Sequence, residues 1–272
     1  MTKTWFITGT SKGFGRLWAE AALERGDRVA ATARDVHALE DLVAKFGASI
    51  LPIALDVTDR AADFAAVQRA HARFGQLDVV INNAGYGQFG AVEELTETEV
   101  RAQLETNFFG ALWVTQAALP ILRAQGSGHL IQVSSIGGVG AFGALGAYHA
   151  SKWALEAISE SLSQEVAGFG IKVTLVEPSG FTTDWGGPSS KHAAALPPYD
   201  GLRQARAERA KTYQPGDPAG TIKAILKLVD TSDPPLRLLL GSNAVRIANA
   251  LYPQRLETWK AWQAVSEAAD AK

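Results

Sequence analysis

Two side chains with proton-transfer chemistry, Tyr148 and Lys152, lie four residues apart in the stretch GAYHASKWALEAISESL, which begins at Gly146. Residues at i and i+4 share one face of a helix, so the phenol and the ammonium are expected to be neighbours. A tyrosine has a pKa of about 10, and lowering it by about three units takes roughly 4 kcal/mol. An ammonium about 4 Å away supplies on the order of 4 kcal/mol at an effective dielectric constant of about 20. The spacing therefore predicts a lowered tyrosine pKa, although such a pair also occurs by chance.

A glycine-rich turn near the N-terminus predicts a phosphate-binding site. The segment TGTSKGFGR follows the first apolar run and places Gly9, Gly13 and Gly15 in the order G-x-x-x-G-x-G. Glycine permits positive φ and a close approach of the backbone to a pyrophosphate, and the N-terminus of the next helix offers free N–H groups to the same charge. This context favours a dinucleotide cofactor over an unliganded turn. The other residues predicted to contact the cofactor here are Ser11, Lys12 and Phe14.

The end of the second predicted strand distinguishes NADP from NAD. NAD-binding folds of this type place an acidic residue there, whereas this chain has Ala33 followed by Arg34. A guanidinium can hold a 2′-phosphate through two parallel N–H bonds, and Lys12 adds a second positive charge. Each cation alone could be an ordinary surface residue, but together they favour NADP(H), with NAD as the alternative. Asp35 is the competing acid and is predicted instead to cap the following helix.

Two further segments at predicted strand ends point to the same cleft. Asp56 in LDVTD could accept a hydrogen bond from the adenine amino group, with Val57 beside it. The INNAGYG segment gives Asn83, Ala84 and Gly85 a tight turn next to the cofactor. Since Asn, Asp and Gly favour turns in any case, each segment could also be ordinary turn chemistry at the end of a strand.

Strand and helix patterns alternate along the chain and predict the scaffold that positions these residues. Most of the short runs are continuously apolar, as strands are when helices cover both faces of a parallel sheet. Longer helical patterns separate them, which predicts an α/β fold with a doubly wound, Rossmann-type parallel sheet in a single domain over residues 1–272. The predicted strands span residues 4–8, 28–33, 49–55, 77–82, 128–135, 171–177 and 236–241.

The segment from about residue 180 to 217 interrupts this alternation. It is rich in Gly, Pro, Ser and Ala, with aromatic residues at Trp185, Tyr199 and Tyr213. A connection of this length is usually a functional lid or a disordered stretch, and it follows the carboxyl end of a strand, where such sheets bind ligands. We therefore predict a substrate-binding lid there. A C-terminal helix over about 243–266 could cover the pocket or pack at an interface.

Composition excludes several other classes of function. The chain has 272 residues, of which 47% are hydrophobic and 20% charged, the balance of a globular protein. A net charge of −2 gives no electrostatic reason to bind nucleic acid or an anionic membrane. Cysteine is absent and the five histidines lack ligand spacing, so neither disulfides nor a metal site is predicted. With no membrane-length apolar run and no signal-peptide pattern, a cytoplasmic location is expected.

Together these motifs resemble the short-chain dehydrogenase/reductase family in its single-domain form, and within it the NADP-linked carbonyl reductases and the relatives of hydroxysteroid and retinol dehydrogenases. One departure is Ser179, because relatives usually carry glycine there and a serine would be strained if the position needed a positive φ. The matching elements, in the family's order, are TGTSKGFG, Asp56, NNAG at 82–85, Asn107 in TNFFG, Ser135 in QVSSIGG, Tyr148 with Lys152, and EPSGFTT at 177–183.

The resemblance implies a role for each matching residue. Tyr148 would exchange a proton with the substrate oxygen, and Ser135 would hydrogen-bond that oxygen. Lys152 would lower the tyrosine pKa and hold the nicotinamide ribose. Asn107 would position a water in a proton relay to Lys152, although it could instead satisfy local backbone groups. The residues near EPSGFTT implied to contact the cofactor are Pro178, Gly180, Phe181 and Thr183, with Thr182 as an alternative to Thr183.

The expected activity is hydride transfer between NADP(H) and a carbonyl or secondary alcohol of a hydrophobic small molecule. His149 is predicted to pack or to be exposed rather than to catalyse, since adjacent residues point to different faces of a helix. The alternatives are a non-catalytic NADP-binding redox sensor, which would not need an intact Ser, Tyr and Lys set, and a lyase or epimerase. Family resemblance also implies a homodimer or homotetramer through the long helices around 97–124 and 147–169. The residues predicted to line the substrate pocket are Tyr86, Phe89, Phe142, Leu145, His149 and Trp185.

Overall fold

A computed structural model describes residues 2–270, in which strands and helices alternate. In chain order the strands are β1 Thr4–Ile7, β2 Arg28–Ala33, β3 Ile50–Ala54, β4 Val79–Asn82, β5 Gln88–Phe89, β6 Gly128–Val133, β7 Ile171–Pro178, β8 Lys191–His192 and β9 Arg237–Leu240. The α-helices are α1 Gly13–Glu24, α2 Glu40–Phe46, α3 Arg60–Phe74, α4 Glu97–Leu104, α5 Gly110–Gln125, α6 Ile136–Val139, α7 Gly146–Val166, α8 Asp200–Thr212, α9 Thr221–Asp230, α10 Ser242–Ala261 and α11 Gln263–Ala268. A π-helical segment, Glu105–Phe109, joins α4 to α5.

A parallel sheet of seven strands forms the centre, in the order β3-β2-β1-β4-β6-β7-β9. The predicted fold class and all of the predicted strand regions are confirmed in this sheet. Strand ends differ by a few residues where polar side chains take other roles. For example, β6 ends at Val133 rather than at Ser135, because Ser135 caps α6 with its side chain. The remaining two strands, β5 and β8, pair with each other in a separate small parallel sheet.

Both faces of the central sheet are buried, which explains its continuously apolar strands. Successive side chains of a strand point to opposite faces. Trp5 of β1 packs in the core on one face with Trp18 of α1, whereas Phe6 packs in the core on the other face with Val80 and Leu130. Polar–apolar alternation is therefore absent from β1, where helices cover both sides.

The strand order reverses at β1, which lies between β2 and β4. At such a switch point the connections leave in opposite directions and open a crevice outside the carboxyl ends of the strands. The glycine turn follows β1, the INNAGYG segment follows β4 and Ser135 follows β6, so all three emerge at this edge of the sheet. The sheet thereby gathers residues that are far apart in sequence.

The connection after β7 contains several short elements. It includes 3-10 turns at Asp184–Gly186 and Pro197–Tyr199, the strand β8 and the helix α8. The sequence patterns missed α8 because none of its residues is buried, so it carries no apolar stripe. The predicted C-terminal helix is found as α10 and α11, which are separated at Trp262. The lid function of this segment remains a prediction.

Candidate active site

The glycine turn is braced by the segment that follows β4. Asn83 donates from Nδ2 to the carbonyl oxygens of Thr8 at 2.9 Å and Gly9 at 3.0 Å. Thr8 Oγ1 in turn accepts the backbone N–H groups of Asn83 and Ala84. A Cβ on Gly15 would lie 2.5 Å from both Asn83 Nδ2 and Gly9 O, so only glycine fits there. Asn83, predicted to contact the cofactor, therefore also holds two loops of the site together.

The remaining turn residues divide between solvent and core. Gly9 and Gly13 have φ values of +69° and +61°, in the region that favours glycine. A Cβ on Gly13 would meet no heavy atom within 4 Å, so its backbone faces open space at the start of α1. Ser11 is exposed as well. Phe14 instead packs its ring between Trp18 and Phe181, at centroid distances of 5.1 and 5.2 Å. Any contact of Phe14 with a cofactor would therefore use its backbone.

Two cations flank the position expected for a 2′-phosphate. Arg34 is exposed and has no ion pair or side-chain hydrogen bond within residues 2–270. Lys12 Nζ lies 3.2 Å from Asp184 Oδ2 on the segment after β7, and both side chains are about half exposed. The prediction for Asp35 is confirmed, because its carboxylate caps the following 3-10 turn by accepting the N–H of His37. Asp35 is thus engaged locally and forms no ion pair with Arg34 within the described residues.

The residues after β3 form a compact turn. Asp56 Oδ1 accepts the backbone N–H of Thr58 at 3.0 Å and its hydroxyl at 2.8 Å. The Asp56 side chain is exposed, so part of its carboxylate is open to a ligand. Val57 is buried against Gly110 at the start of α5, where a Cβ would lie 2.8 Å from the valine side chain.

Ser135, Tyr148 and Lys152 meet at the carboxyl end of β6. Each is at least 91% buried, with 9%, 6% and 5% of its surface exposed. Ser135 Oγ accepts the N–H of Gly137 at 2.9 Å, which leaves the hydroxyl proton free to donate. Lys152 Nζ donates to the carbonyl oxygen of Val133 at 2.7 Å and lies 5.9 Å from the centre of the Tyr148 ring. Helix α7 thus brings the predicted pair to the predicted serine.

The pKa of Tyr148 contradicts the expectation drawn from the spacing. Burial raises the Tyr148 pKa to about 12, and only the Ser135 hydroxyl opposes this shift. Burial also lowers the Lys152 pKa to about 8, with the Glu156 carboxylate opposing. Folding removes both groups from water, and this desolvation disfavours the charged form of each, an effect that their spacing in sequence does not reveal. In this structure the phenol therefore holds its proton firmly at neutral pH.

Asn107 lies in the π-helical segment between α4 and α5. Its Oδ1 accepts the N–H of Tyr86 at 3.1 Å, and its Nδ2 donates to Tyr86 O at 3.0 Å and to Ser151 Oγ at 3.1 Å. Asn107 thus satisfies local backbone groups, the alternative left open by the sequence. A Cβ on Gly85 would lie 3.1 Å from Asn107 Oδ1 and 3.7 Å from Lys152 Nζ, so both side chains flank this glycine. π-Helical turns are frequent at functional sites.

Trp185 covers Tyr148 from the segment after β7. The two ring centroids are 4.8 Å apart, and the indole also meets Phe89 edge-on at 5.7 Å. A Cβ on Gly87 would lie 2.6 Å from Trp185 Cζ2, so the indole lies directly on the backbone after β4. Tyr86 is half-buried beside it, with Lys191 Nζ 4.8 Å from its ring centre. Two predicted substrate residues, Phe89 and Trp185, therefore contact each other, and Trp185 also contacts Tyr148.

The other predicted substrate residues, Phe142, Leu145 and His149, lie at or near the start of α7, where the His149 ring centroid is 5.6 Å from that of Phe142 and 5.8 Å from that of Tyr148. Phe142 and His149 line an open cavity of about 440 Å³ that also contacts Val92 and Trp153. His149 is buried, accepts the N–H of Phe142 at 3.3 Å on Nδ1, and has its pKa lowered to about 4 by burial. His149 is thus packed in the structure, which is one of the two environments predicted for it. Leu145 is the residue before α7 and pairs with Gly90 in an isolated β-bridge.

The end of β7 continues into the predicted cofactor-contacting residues without strain at Ser179. Within the described residues, Ala144 is the one non-glycine with positive φ, so Ser179 needs no left-handed conformation. Its N–H instead donates to Leu240 O on β9 at 3.0 Å, directly after Pro178. Gly180 donates its N–H to Tyr213 Oη at 2.9 Å, and Thr183 Oγ1 caps the turn that carries Trp185.

Two supporting residues were missed from the sequence. Thr8 joins the glycine turn to the segment after β4, because its Oγ1 accepts the N–H groups of Asn83 and Ala84. Gln103 lies on α4 and contacts the backbone of the same segment. Gln103 Oε1 accepts the N–H of Gln88 at 2.7 Å, and its Nε2 donates to Tyr86 O at 3.0 Å. Thr8 could have been suspected from its place just before Gly9. Gln103 carries no such signal, because its partners are distant in sequence.

A parallel sheet with a glycine turn at its switch point, beside a buried Ser, Tyr and Lys set, defines the class of dinucleotide-binding oxidoreductases. No group of His, Asp or Glu residues that could hold a metal ion is found within residues 2–270. Over the same residues, none of the helices combines the length and apolar character needed to cross a membrane.

Comparison with known proteins narrows the class. The short chain dehydrogenase family model matches residues 3–194, and the chain belongs to this family of oxidoreductases, which act on CH–OH or C=O groups. Oxidoreductase BOA17 of Botryotinia fuckeliana is 47% identical over 252 residues, covering 91% of this chain and 92% of its own. A solved short-chain dehydrogenase from Streptomyces avermitilis is 42% identical, with a TM-score of 0.93 over 99% of this chain and 98% of that one. An alcohol dehydrogenase from Thermococcus sibiricus, complexed with 5-hydroxy-NADP, is 27% identical, with a TM-score of 0.73 over 88% and 96% of the two chains.

Proposed function

We propose that the protein is an NADP(H)-dependent reductase of a carbonyl group in a hydrophobic small molecule, with Tyr148 as the proton donor. The observation that carries this proposal is the environment of Tyr148. Its phenol is buried beside the Ser135 hydroxyl, and burial raises its pKa to about 12. A phenol that keeps its proton at neutral pH suits donation to a developing alkoxide, which is a much stronger base.

The chain's own groups account for the proton and for the charge. When bound, NADPH supplies the hydride that adds to the carbonyl carbon. The C=O π electrons then move onto the oxygen, and Tyr148 gives that oxygen its phenolic proton. Ser135 donates its free hydroxyl proton as a hydrogen bond to the same oxygen, since its lone pair already accepts the Gly137 N–H. Lys152, in its ammonium form, stabilises the phenolate that remains on Tyr148.

Residues of the crevice fit the remainder of the cofactor. The open backbone at Gly13 and the N-terminus of α1 would hold the pyrophosphate. Arg34 would grip the 2′-phosphate, and Lys12 would join it after leaving Asp184. Lys152 would hold the nicotinamide ribose, and the space beside Gly85 between Asn107 and Lys152 would take a relay water. The 27% identical alcohol dehydrogenase was solved with 5-hydroxy-NADP, so a related chain accommodates a nucleotide of the NADP type.

The aromatic side chains around Tyr148 support a hydrophobic substrate. Trp185 presents ring surface next to the phenol and Phe89 contacts the indole in turn, and such rings bind apolar or aromatic groups. We further propose a cytoplasmic homodimer or homotetramer formed through α4, α5 and α7. Sedimentation equilibrium of the purified chain tests this assembly directly.

Initial rates of NADPH oxidation at pH 7 with a panel of aromatic and aliphatic ketones and aldehydes test the activity. We expect turnover with hydrophobic members of the panel and slower turnover with NADH. NADPH binding without oxidation would instead favour the redox-sensing regulator. Conversion of a substrate without net change in NADPH would favour a lyase or epimerase.

A further inference from the structure

A buried charged cluster lies behind the active site, under the middle of α7. Glu156 follows Lys152 by one helical turn, and its side chain is 8% exposed. It faces Glu177 on β7, whose side chain is 2% exposed. Arg237 on β9 closes the cluster toward solvent with a side chain that is 34% exposed. None of these three residues has a role in the reaction proposed above.

The charges of this cluster do not balance if both acids are ionised. Arg237 Nε lies 3.1 Å from Glu156 Oε2 and 3.4 Å from Glu177 Oε1, while its outer nitrogen binds the half-exposed Glu160 at 2.8 Å. One guanidinium therefore serves two buried carboxyl groups and a surface one. Burying an unpaired carboxylate is costly enough that such a group takes up a proton instead.

Unpartnered oxygens indicate where this proton lies. Within residues 2–270, Glu156 Oε1, Glu177 Oε1 and Ser134 Oγ are buried and lack a hydrogen-bond partner when the acids act as acceptors only. A proton shared between the two carboxyl groups supplies a partner for both. Burial, helped by the Glu156 carboxylate, raises the pKa of Glu177 to about 8. Arg237 Nε donates to Glu156 Oε2 at 3.1 Å but lies 3.4 Å from Glu177 Oε1, so Glu156 is the anion of the pair.

We propose that Glu177 and Glu156 form a carboxylic acid–carboxylate pair in which Glu177 holds the proton, and that this pair is a positioning element for Lys152. The Glu156 anion lies one turn along α7 from the lysine and favours its ammonium form. This matters because burial lowers the Lys152 pKa, which is about 8 even with Glu156 opposing the shift. The inference rests on the proposed function, in which Lys152 works as an ammonium beside Tyr148.

The ionisable groups that face the pair come from three elements. Helix α7 contributes Lys152 and Glu160, strand β7 contributes Glu177 itself, and strand β9 contributes Arg237. Helix α6, which packs over the pair at Gly138, has the sequence IGGV and adds no ionisable side chain. Ser134, which follows β6, has its hydroxyl next to Glu156 and adds no ionisable group. Glu156 is therefore the acidic group through which the pair acts on Lys152.

Infrared spectroscopy of the whole protein tests the shared proton without any need for activity. The carbonyl band of a protonated carboxylic acid should be present in the wild type at pH 7 and fade as the pH rises above 8. Asp63 is also buried with a raised pKa, so the measurement is the wild-type spectrum minus that of Glu177→Gln. Glu160→Gln is the matched control, since it binds the same arginine from the half-exposed surface and should leave the band in place. A difference spectrum without the band overturns the pair.

The pH profile of NADPH turnover tests the action on Lys152. Glu156→Gln should move the alkaline limb of kcat/KM to lower pH by about one unit, because an opposite charge at this range shifts a pKa by such an amount. Glu177→Gln should keep the limb in place, since an amide resembles the protonated acid and still donates to Glu156. The role assigned to Glu156 is overturned if the alkaline limbs of kcat/KM lie at the same pH in Glu156→Gln and Glu160→Gln. It is also overturned if Glu177→Gln shifts that limb as far as Glu156→Gln does.

Failure of this inference can be told apart from failure of the proposed function. If no carbonyl compound oxidises NADPH, the proposed function fails, yet the infrared band still reports on the shared proton. In that case the action on Lys152 is read from the pH dependence of NADPH binding, in which Lys152 holds the ribose. If Glu156→Gln does not fold, the wild-type band and its loss above pH 8 decide whether the acid pair exists.

Discussion

The indole of Trp185 lies over the ring of Tyr148, with their centroids 4.8 Å apart, so the segment after β7 reaches the residue proposed to donate the proton. A substrate carbonyl that approaches the phenol has to share or displace this position. Lys12 and Asp184, 3.2 Å apart, tie the same turn to the glycine loop. Cofactor binding at the loop and substrate binding at the tyrosine are therefore both expected to move Trp185.

Trp185→Phe should remove most of the change in tryptophan fluorescence that a carbonyl ligand produces and should raise its KM several-fold. The physical reason is that Trp185 is the indole in contact with Tyr148, whereas Trp259 on α10 is 65% exposed. Trp259→Phe is accordingly the control and should keep the signal and the KM. Equal signals from the two variants would show that Trp185 stays in place when ligand binds.

Tyr148→Phe should lower kcat by at least about 100-fold, the usual contribution of a positioned general acid. NADPH affinity should change little, because the substitution removes only the hydroxyl from a buried ring. Fluorescence titration with NADPH checks binding, and NADPH oxidation checks turnover. Turnover close to that of the wild type would assign the proton to another group.

Arg34→Ala should weaken NADPH binding by about tenfold or more and leave NADH binding nearly unchanged, since charge-assisted bonds to a phosphate are lost. Arg34 is exposed, so the fold should tolerate the change. Arg123, an exposed arginine at the end of α5, supplies the control as Arg123→Ala. Comparison of the two dissociation constants by calorimetry gives the result, and parallel losses for both nucleotides would argue against a 2′-phosphate contact.

Gly15→Ala should destabilise the protein by about 1–3 kcal/mol, the range of overpacking, because the new Cβ would lie 2.5 Å from Asn83 Nδ2 and Gly9 O. Gly13→Ala meets open space, so its loss should be limited to the roughly 1–2 kcal/mol that a φ of +61° costs a residue with a Cβ. Urea denaturation measures both. The order of the two losses is the critical outcome, and a reversed order would contradict the bracing of the glycine turn by Asn83.

Lys152→Met should raise Tm at pH 7 while abolishing turnover, since it removes a buried cation. The folded pKa of Lys152, about 8, is below its unfolded value of 10.5, so the unfolded chain binds more protons between these values. The stability of the wild type therefore rises between about pH 8 and 10.5, and the Tm difference between Lys152→Met and the wild type should shrink over the same range. Thermal denaturation at several pH values checks the trend, and a constant difference would mean that Lys152 titrates normally.

Local patterns in the sequence were enough to predict the sheet and the loops at its edge. Strands β1 and β4, for example, were readable because each has three consecutive apolar residues, a property that can be seen without knowledge of the neighbouring strands. The predictions for the glycine turn and for Asp35 also rested on local features. The turn depends on the φ angles of its glycines, and the Asp35 carboxylate binds a backbone N–H only two residues away. Periodicity and turn chemistry act over a few residues, which is why sequence alone captures them.

Other features depended on segments that only folding brings together. Helix α8 lacks an apolar stripe, and the π-helical turn at Asn107 looks like the continuous helix around it in sequence. The contact of Trp185 with Tyr148 joins residues on two different elements.

The direction of the Tyr148 pKa was also decided by the tertiary structure, as was the pairing of Glu156 with Glu177. The sequence determined which ionisable groups exist and which lie one helical turn apart. Desolvation depends on how completely distant elements cover a group, and for Tyr148 that cost outweighs the opposing effect of the Ser135 hydroxyl. The sequence thus specified the chemistry available at this site, and burial in the folded chain decided which of its groups hold their protons.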